Sequence, residues 1–118
     1  MNKNLLGLHK LTTLKVNNIS KLIDLSQFIF LTEKLLKLYQ LEQVGNTSFV
    51  FENGSFTVAF CLKESHICIH TWPEIQSLTM DVYLCNYSQD NSEKVRKITD
   101  SLIHYFEGII LKQIEVAR

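Results

Sequence analysis

Hydrophobic and polar positions recur along the chain with periods that predict its elements in turn. Residues 6–16 carry leucines and a valine at roughly alternate positions, the two-residue period of a strand with one buried face. Residues 19–40 carry apolar side chains at steps of three and four, which is the period of an amphipathic helix. Asn-Gly within residues 52–55 is a strong hairpin-turn signal, so the short runs on either side of it, 47–51 and 56–63, are predicted strands.

The second half of the chain continues this pattern. Residues 66–72, HICIHTW, alternate strictly, and Pro73 lacks the amide hydrogen that a central strand needs, so we expect the strand to end there. Residues 78–85 form the next predicted strand. Apolar residues over 95–106 recur with helical spacing after a polar segment, and 109–116 read as a final strand.

The order of these elements is strand, helix, several hairpin-linked strands, helix, strand. This order predicts an α+β fold, a two-layer sandwich in which a mostly antiparallel sheet carries two helices on one face. We expect a single domain over residues 1–118. The opposite face of the sheet then needs cover, and a second subunit of a homodimer is its natural source.

Composition narrows the class of protein. Hydrophobic residues make up 46% and charged residues 20%, which indicates an ordinary globular chain. Lys plus Arg and Asp plus Glu are 12 each, so no net charge favours nucleic acid or an anionic membrane as a partner. We expect no membrane span and no signal peptide. Three cysteines, Cys61, Cys68 and Cys85, are typical of a reduced, cytoplasmic chain rather than of a disulfide framework.

Residues 63–74, KESHICIHTWPE, concentrate the chemically active side chains. Alternation along the predicted strand puts its two histidines, Cys68 and a tryptophan on one face. A zinc site is one hypothesis, because imidazole and thiolate are suitable ligands, but alternate residues of one strand lie far apart for ligands of one ion. A catalytic cysteine, Cys68 or Cys85, with a histidine base is the second. A cysteine in a strand is more often a small buried apolar residue.

Ser65 offers the third hypothesis. A serine hydroxyl can attack the carbonyl of the preceding peptide bond, which turns the amide into an ester. Removal of the serine α-hydrogen by a base then breaks the ester, and hydrolysis leaves a pyruvoyl group at the new N-terminus. This chemistry needs an acid/base within reach and a donor for the oxyanion. From spacing alone, a serine at a strand junction is usually a turn residue, so the three hypotheses stay open at this point.

A family resemblance favours the third hypothesis. Glu64-Ser65-His66 and the following HTWPE, residues 70–74, resemble the processing and active-site segment of the bacterial S-adenosylmethionine decarboxylases, pyruvoyl-dependent enzymes of polyamine (spermidine) synthesis. DVYLC, residues 81–85, resembles the family's aspartate-to-cysteine strand, and GLH, residues 7–9, is a weaker likeness. The resemblance implies a self-cleaving proenzyme, split between 64 and 65, that works as a dimer on a small-molecule substrate without a metal.

The resemblance also implies a role for each matching residue in processing. Ser65 would attack the Glu64 carbonyl and become the pyruvoyl group, with His70 as the acid/base. The hydroxyl of Thr57, which stands where the family has a serine, would assist. In the decarboxylation the substrate amine would form a Schiff base with the pyruvoyl carbonyl, which accepts the electrons left when CO₂ departs. Cys85 would then return a proton to the substrate carbon.

Three further residues would bind the substrate. Phe51 and Trp72 would stack on its adenine, and aromatic faces also suit a sulfonium cation. Glu74 would hold the ribose hydroxyls. His9 and His104 carry no pattern in the sequence, and we assign them no role.

The chain departs from the family pattern next to this pocket. The family usually has an aromatic-glycine-aromatic run where this chain has IQSLT, residues 75–79, and Asn86 follows the cysteine where a glycine is usual. These departures affect the identity of the substrate more than the chemistry. The alternatives are a relative that decarboxylates arginine or ornithine, or a ligand-binding homologue that does not process itself.

Overall fold

The computed structural model describes residues 6–87 and 89–118. Its elements in chain order are β1 (Leu8–Lys15), α1 (Ile19–Leu22), α2 (Leu25–Leu38), β2 (Gln43–Val50), β3 (Phe56–Leu62), β4 (His66–Trp72), β5 (Ser77–Leu84), α3 (Ser92–Phe106) and β6 (Ile109–Ala117). A short 3-10 turn, Pro73–Ile75, joins β4 to β5.

The six strands form one sheet in the order β2-β3-β4-β5-β1-β6, and every neighbouring pair is antiparallel. The predicted α+β fold with an antiparallel sheet is therefore confirmed. The strand order itself is not readable from periodicity, because β1 inserts between β5 and β6 from the far end of the chain.

The first predicted helix is interrupted. The segment 19–40 folds as two helices, α1 and α2, because Asp24 begins a new one: its side chain accepts a hydrogen bond from the backbone N–H of Gln27 at 3.0 Å. The predicted strand 47–51 begins earlier, at Gln43. Phe51 lies beyond its end, where the Phe51 N–H donates to the Ser55 carbonyl across the hairpin turn.

The hydrophobic core lies between the helices and one face of the sheet. Phe28 of α2 is fully buried, and its ring centroid lies 5.8 Å from that of Phe56, 6.2 Å from that of Phe60 on β3, and 5.7 Å from that of Phe106 on α3. α3 packs on β1 and β5. In the described part of the chain, no helix is both long and apolar enough to span a membrane.

The other face of the sheet, which we call the open face, carries no helix among the described elements. Alternation along the central strands sends every second side chain to it. These residues are Thr57, Ala59 and Cys61 of β3, His66, Cys68, His70 and Trp72 of β4, Thr79, Asp81 and Tyr83 of β5, and His9, Leu11 and Thr13 of β1.

Candidate active site

Ser65 lies in the turn that joins β3 to β4. The Ser65 carbonyl accepts a hydrogen bond from the N–H of Leu62 at 2.9 Å, which closes the turn. Its Oγ accepts a hydrogen bond from the backbone N–H of Cys85 at 3.0 Å, so the hydroxyl is tied to the end of β5. Glu64 is exposed and Ser65 is half-buried. The peptide bond between them therefore sits in an accessible turn, next to the cysteine that the family pattern pairs with it.

Thr57 and His70 form a hydrogen-bonded pair at the other end of β4. They are direct neighbours across β3 and β4, and Thr57 Oγ1 contacts Nδ1 of His70. Oγ1 also lies 3.3 Å from the Ile69 carbonyl. If the hydroxyl donates to that carbonyl, it accepts from the Nδ1–H of His70, which leaves Nε2 unprotonated. This arrangement gives His70 the free nitrogen that a general base needs.

A pocket of about 670 Å³ opens beside His70. Phe51 and Trp72 line it and are 50% and 39% exposed, so their ring faces are available to a ligand. Glu74 also lines it, and the amide of Asn53 donates to its carboxylate at 3.4 Å. Two aromatic rings and an oriented carboxylate suit a flat heterocycle that carries hydroxyl groups or a positive charge.

The Ser65–Cys85 contact and the Thr57–His70 pair lie at opposite ends of β4. Ser65 and His70 are five residues apart along extended backbone, and a rise of about 3.3 Å per residue puts their Cα atoms about 16 Å apart. Proton transfer needs the donor and acceptor atoms within about 3 Å of each other. Within a single chain, Thr57 and His70 therefore do not reach Ser65, whereas the backbone N–H of Cys85 contacts its hydroxyl.

A third cluster, formed by His9, His66 and Asp81, lies on the open face between Ser65 and His70. His9 is buried at 8% exposure, and its Nε2 lies 2.7 Å from Oδ2 of Asp81, while Nε2 of His66 lies 3.2 Å from the same oxygen. Arg118 donates to Nδ1 of His9 at 3.1 Å. A guanidinium only donates, so the proton of a neutral His9 is on Nε2 and is donated to Asp81. His9, to which the sequence assigned no role, is therefore a member of a hydrogen-bonded network.

Among the described residues, His9, His66 and Asp81 are also a group that could hold a metal ion, because one ligand atom from each lies within 4.8 Å of the others. Coordination through Nε2 of His9 would require the proton on Nδ1, where Arg118 already donates. The arrangement therefore favours a hydrogen-bonded network. The zinc set considered from the sequence does not assemble, because the two histidines that flank Cys68 have different partners, Asp81 and Thr57.

Cys68 itself is half-buried on the open face. Burial raises the pKa of its thiol, and the charge of Asp81 and the neighbouring Cys61 raise that pKa further. A thiol held in its protonated form is a poor nucleophile. A role for Cys68 as a nucleophile is therefore disfavoured, and its interpretation as a packing residue stays a prediction.

Comparisons with known proteins identify the family of the chain. The family model described as S-adenosylmethionine decarboxylase matches residues 11–116. The chain is 29% identical over 108 residues to the S-adenosylmethionine decarboxylase proenzyme of Clostridium botulinum (strain Langeland), covering 92% of this chain and 91% of that protein. It is 36% identical over 80 residues to the proenzyme of Aquifex aeolicus, covering 68% and 59%.

A solved structure is similar over nearly the whole fold. The crystal structure of the adenosylmethionine decarboxylase from Aquifex aeolicus superposes with a TM-score of 0.78 at 26% sequence identity. The superposition covers 97% of this chain and 89% of that one.

Proposed function

The chain belongs to the S-adenosylmethionine decarboxylase family, and we propose that it is a self-cleaving, pyruvoyl-dependent decarboxylase of S-adenosylmethionine that serves polyamine synthesis. The observation that carries this proposal is the position of the Glu64–Ser65 peptide bond. It lies in an accessible turn, and the Ser65 hydroxyl is held beside Cys85. A cytoplasmic location is part of the proposal, because Cys61 and Cys68 are free thiols that suit a reducing compartment.

Cleavage begins at Ser65. Its Oγ attacks the Glu64 carbonyl carbon, and the peptide C–N bond breaks as the C–O bond forms, which leaves an ester. A base then removes the Ser65 α-hydrogen, the Cβ–Oγ bond breaks, and Glu64 leaves with a free carboxylate. Hydrolysis of the remnant releases ammonia and produces the pyruvoyl group. We assign the base to His70, because Nε2 is unprotonated when Nδ1–H donates to the Thr57 hydroxyl.

The fold would be retained after cleavage between residues 64 and 65. Cleavage opens only the turn after β3, and the β3–β4 pairing on either side of it stays in place. The segment 1–64 supplies β1, which pairs with both β5 and β6 of the segment 65–118. The two products would therefore share one sheet and one core, and Ser65 would become a chain end without unfolding the protein.

When formed, the pyruvoyl group would withdraw the electrons released with CO₂. Side chains of this chain would bind the substrate and supply the proton. Phe51 and Trp72 would hold the adenine and face the sulfonium charge. Glu74, oriented by Asn53, would accept hydrogen bonds from the ribose hydroxyls. Cys85, next to Ser65 in space, would supply the proton that the substrate carbon gains.

A homodimer completes the site. The distance of about 16 Å between Ser65 and His70 within one chain is too great for proton transfer. A second copy packed against the open face could bring its His70 to Ser65 of the first. The open face also exposes large apolar side chains, among them Leu11, Trp72 and Ile114, whose burial would favour that packing. We therefore assign Ser65 and Cys85 of each site to one subunit, and Thr57, His70 and the substrate pocket to the other.

Intact mass under denaturing conditions tests the enzyme proposal. Purified protein should resolve into two chains, 1–64 and 65–118, and Ser65→Ala should stay whole. The cleaved protein should then release CO₂ from S-adenosylmethionine faster than from arginine or ornithine. A wild-type chain that stays whole after long incubation would refute the proposal, and a preference for arginine or ornithine would correct its substrate.

Co-expression of two inactive variants tests the shared site. A dimer of Ser65→Ala with His70→Ala contains one site with both native residues, because Ser65 comes from one chain and His70 from the other. We expect the His70→Ala chain to be cleaved much faster in the mixture than alone, while Ser65→Ala alone stays whole. If the mixture behaves like the separate variants, the two residues act within one chain and the shared site is wrong.

A further inference from the structure

Asn86, which stands directly after Cys85 where the family pattern usually has a glycine, is part of a hydrogen-bonded pair. It is buried at 9% exposure, and its Oδ1 accepts a hydrogen bond from the backbone N–H of Asn91 at 2.8 Å. Asn91 in turn donates from Nδ2 to the Cys85 carbonyl at 2.9 Å. We call Asn86 and Asn91 the asparagine pair. It links the start of α3 to the residue that follows β5.

The side chain of Asn91 holds Cys85 instead of capping its own helix. Asn91 is the N-cap residue of α3, where an asparagine ordinarily accepts a hydrogen bond from a backbone N–H of the first helical turn. Within the described part of the chain, its side chain makes no such bond. The Ser92 N–H donates to Asp90 at 2.9 Å instead. The amide of Asn91 is therefore committed to the end of β5.

The orientation of the Asn91 amide follows from the group that it meets. A carbonyl oxygen only accepts, so Nδ2 and not Oδ1 has to face the Cys85 carbonyl. This orientation leaves Oδ1 buried, with no hydrogen-bond partner among residues 6–87 and 89–118. A buried acceptor without a partner carries a free-energy cost, which the contact to Cys85 helps to offset.

Cys85 itself lies just beyond the strand pairings. The described pairing of β5 with β4 ends at Tyr83, and β5 ends at Leu84. The N–H of Cys85 donates to Ser65 Oγ, and its carbonyl accepts from Nδ2 of Asn91. Side chains from two other parts of the chain therefore bind both backbone polar groups of Cys85.

The proposed self-cleavage would change one of these two contacts and leave the other. The Ser65 oxygen departs with Glu64, so the acceptor of the Cys85 N–H no longer belongs to residue 65. The contact from Asn91 involves no atom that cleavage alters. The asparagine pair is therefore suited to hold Cys85 during turnover of the cleaved enzyme.

We propose that Asn91 is a positioning residue for Cys85 and that Asn86 holds Asn91 in place. This inference rests on the proposed function, which assigns to Cys85 the proton that the substrate carbon gains. Proton transfer needs the two heavy atoms within about 3 Å of each other, and a misplacement of about 1 Å can cost roughly 100-fold in rate. The asparagine at position 86 then acts on proton return and not on the choice of substrate.

Decarboxylation kinetics test the role of Asn91. Asn91→Asp retains the shape of the side chain and removes the Nδ2 donor. We expect kcat, counted per cleaved chain, to fall about 5- to 150-fold, with KM for S-adenosylmethionine unchanged. Asn86→Gly removes the acceptor that holds Asn91, and its kcat should fall by a smaller factor. Asn18→Asp is the matched control and should keep the wild-type kcat, because Asn18 is an exposed N-cap residue of α1 and aspartate retains its acceptor oxygen.

A second background separates positioning from a loss of folding. Cys85→Ala removes the proton donor and should slow decarboxylation about 10²- to 10⁴-fold. Adding Asn91→Asp to it should change the remaining rate by less than about 2-fold, because there is no longer a thiol to misplace. A folding defect would lower the rate by the same factor in both backgrounds. Slower proton transfer should also raise the solvent deuterium isotope effect on kcat of Asn91→Asp, which a smaller folded fraction would not do.

The inference and the proposed function fail separately. Equal losses of kcat from Asn91→Asp in the wild-type and Cys85→Ala backgrounds would overturn the inference, as would a wild-type kcat in Asn91→Asp. Either result leaves cleavage and decarboxylation by the wild-type protein intact. A wild-type protein that is never cleaved loses the proposed function, and the role of Cys85 from which the inference starts fails with it.

Discussion

At the scale of single residues, the pairing of Thr57 with His70 shows how a strand neighbour can set the chemistry of an imidazole. The hydroxyl contacts Nδ1 and lies near the Ile69 carbonyl, so it can hold the proton on Nδ1 and leave Nε2 as the basic nitrogen. Threonine retains this hydroxyl where the family pattern has serine. The departure therefore adds a methyl group and keeps the polar contact.

Substitution at these two positions should slow self-cleavage to different extents. His70→Ala removes the base, and we expect a loss of about 10²- to 10⁴-fold in the rate of chain cleavage. Thr57→Val removes only a hydrogen bond of about 1–3 kcal/mol, which corresponds to a loss of about 5- to 150-fold. Thr57→Ser should cleave at close to the wild-type rate. A time course of intact mass measures all three.

His104→Ala is the matched control for His70→Ala, because His104 is an exposed histidine in the last turn of α3. It should cleave as the wild type does. Equal cleavage by Thr57→Val and Thr57→Ser would contradict the role of the hydroxyl.

The sequence could identify the residues of the proposed site but not how they are grouped. Ser65, His70 and Cys85 stand out because their neighbours match a family segment on both sides. His9 gave no such signal, since its partner Asp81 is 72 residues away and the contact depends on β1 lying beside β5. Strand order is a long-range property that alternation of polar and apolar residues does not encode.

At the scale of elements, the connection between β4 and β5 carries local strain. Gln76 follows the 3-10 turn with a φ of 51°, in the left-handed region. Both of its backbone polar groups are hydrogen-bonded: its N–H donates to the Pro73 carbonyl and its carbonyl accepts from the Val16 N–H. A side chain costs about 1–2 kcal/mol in this conformation. The family resemblance places a glycine within this segment, and this chain has none between 75 and 79.

Gln76→Gly should therefore stabilise the protein. We expect a net gain of roughly 0.5–1 kcal/mol in the free energy of unfolding, because the greater freedom of glycine in the unfolded chain offsets part of the relieved strain. Urea denaturation measures this gain. Ser77→Gly, one residue later and inside β5, is the control and should lose roughly 0.5–1 kcal/mol. A loss of stability in both variants would show that the left-handed backbone at Gln76 is not strained.

An ion cluster joins the edge strand β6 to α3 and β1. Arg96 binds Glu115 through two hydrogen bonds of 3.0 and 3.1 Å, and Lys10 lies 3.2 Å from the same carboxylate. The hydrogen bonds from Arg96, followed by those from Lys10, lower the pKa of Glu115 to about 2. A depressed pKa stabilises the folded state fully above the unfolded value near 4.5, and this stabilisation is lost as the pH falls toward 2.

Glu115→Gln should show this dependence on pH. The carboxylate is partly exposed to solvent, so we expect the variant to lose no more than about 1 kcal/mol of stability at pH 7. The difference from wild type should shrink as the pH falls from 4.5 and vanish near 2. Urea titrations at a series of pH values measure it, with Glu107→Gln at the exposed end of α3 as the control. A difference that stays constant across this range would contradict the linkage.

At the scale of the whole molecule, the sheet interleaves the two segments that the proposed cleavage would create. The segment 1–64 supplies β1, β2 and β3, and the segment 65–118 supplies β4, β5 and β6, yet their order in the sheet is β2-β3-β4-β5-β1-β6. The sequence predicted every one of these strands. It could not predict that the strand order makes the two segments inseparable, or that it leaves Ser65 and His70 at opposite ends of β4.

This strand order predicts that the two cleaved chains stay associated. After cleavage, the chains 1–64 and 65–118 should stay together under native conditions, because separating them would break three strand pairings and divide the core between Phe28 and Phe106. Native mass spectrometry should find both chains in one complex, and denaturing mass spectrometry should find them apart. Uncleaved Ser65→Ala, measured alongside, should have the same native size. Separate elution of the two chains without denaturant would contradict this prediction. It would show that the strand pairings and the core do not hold the two chains together.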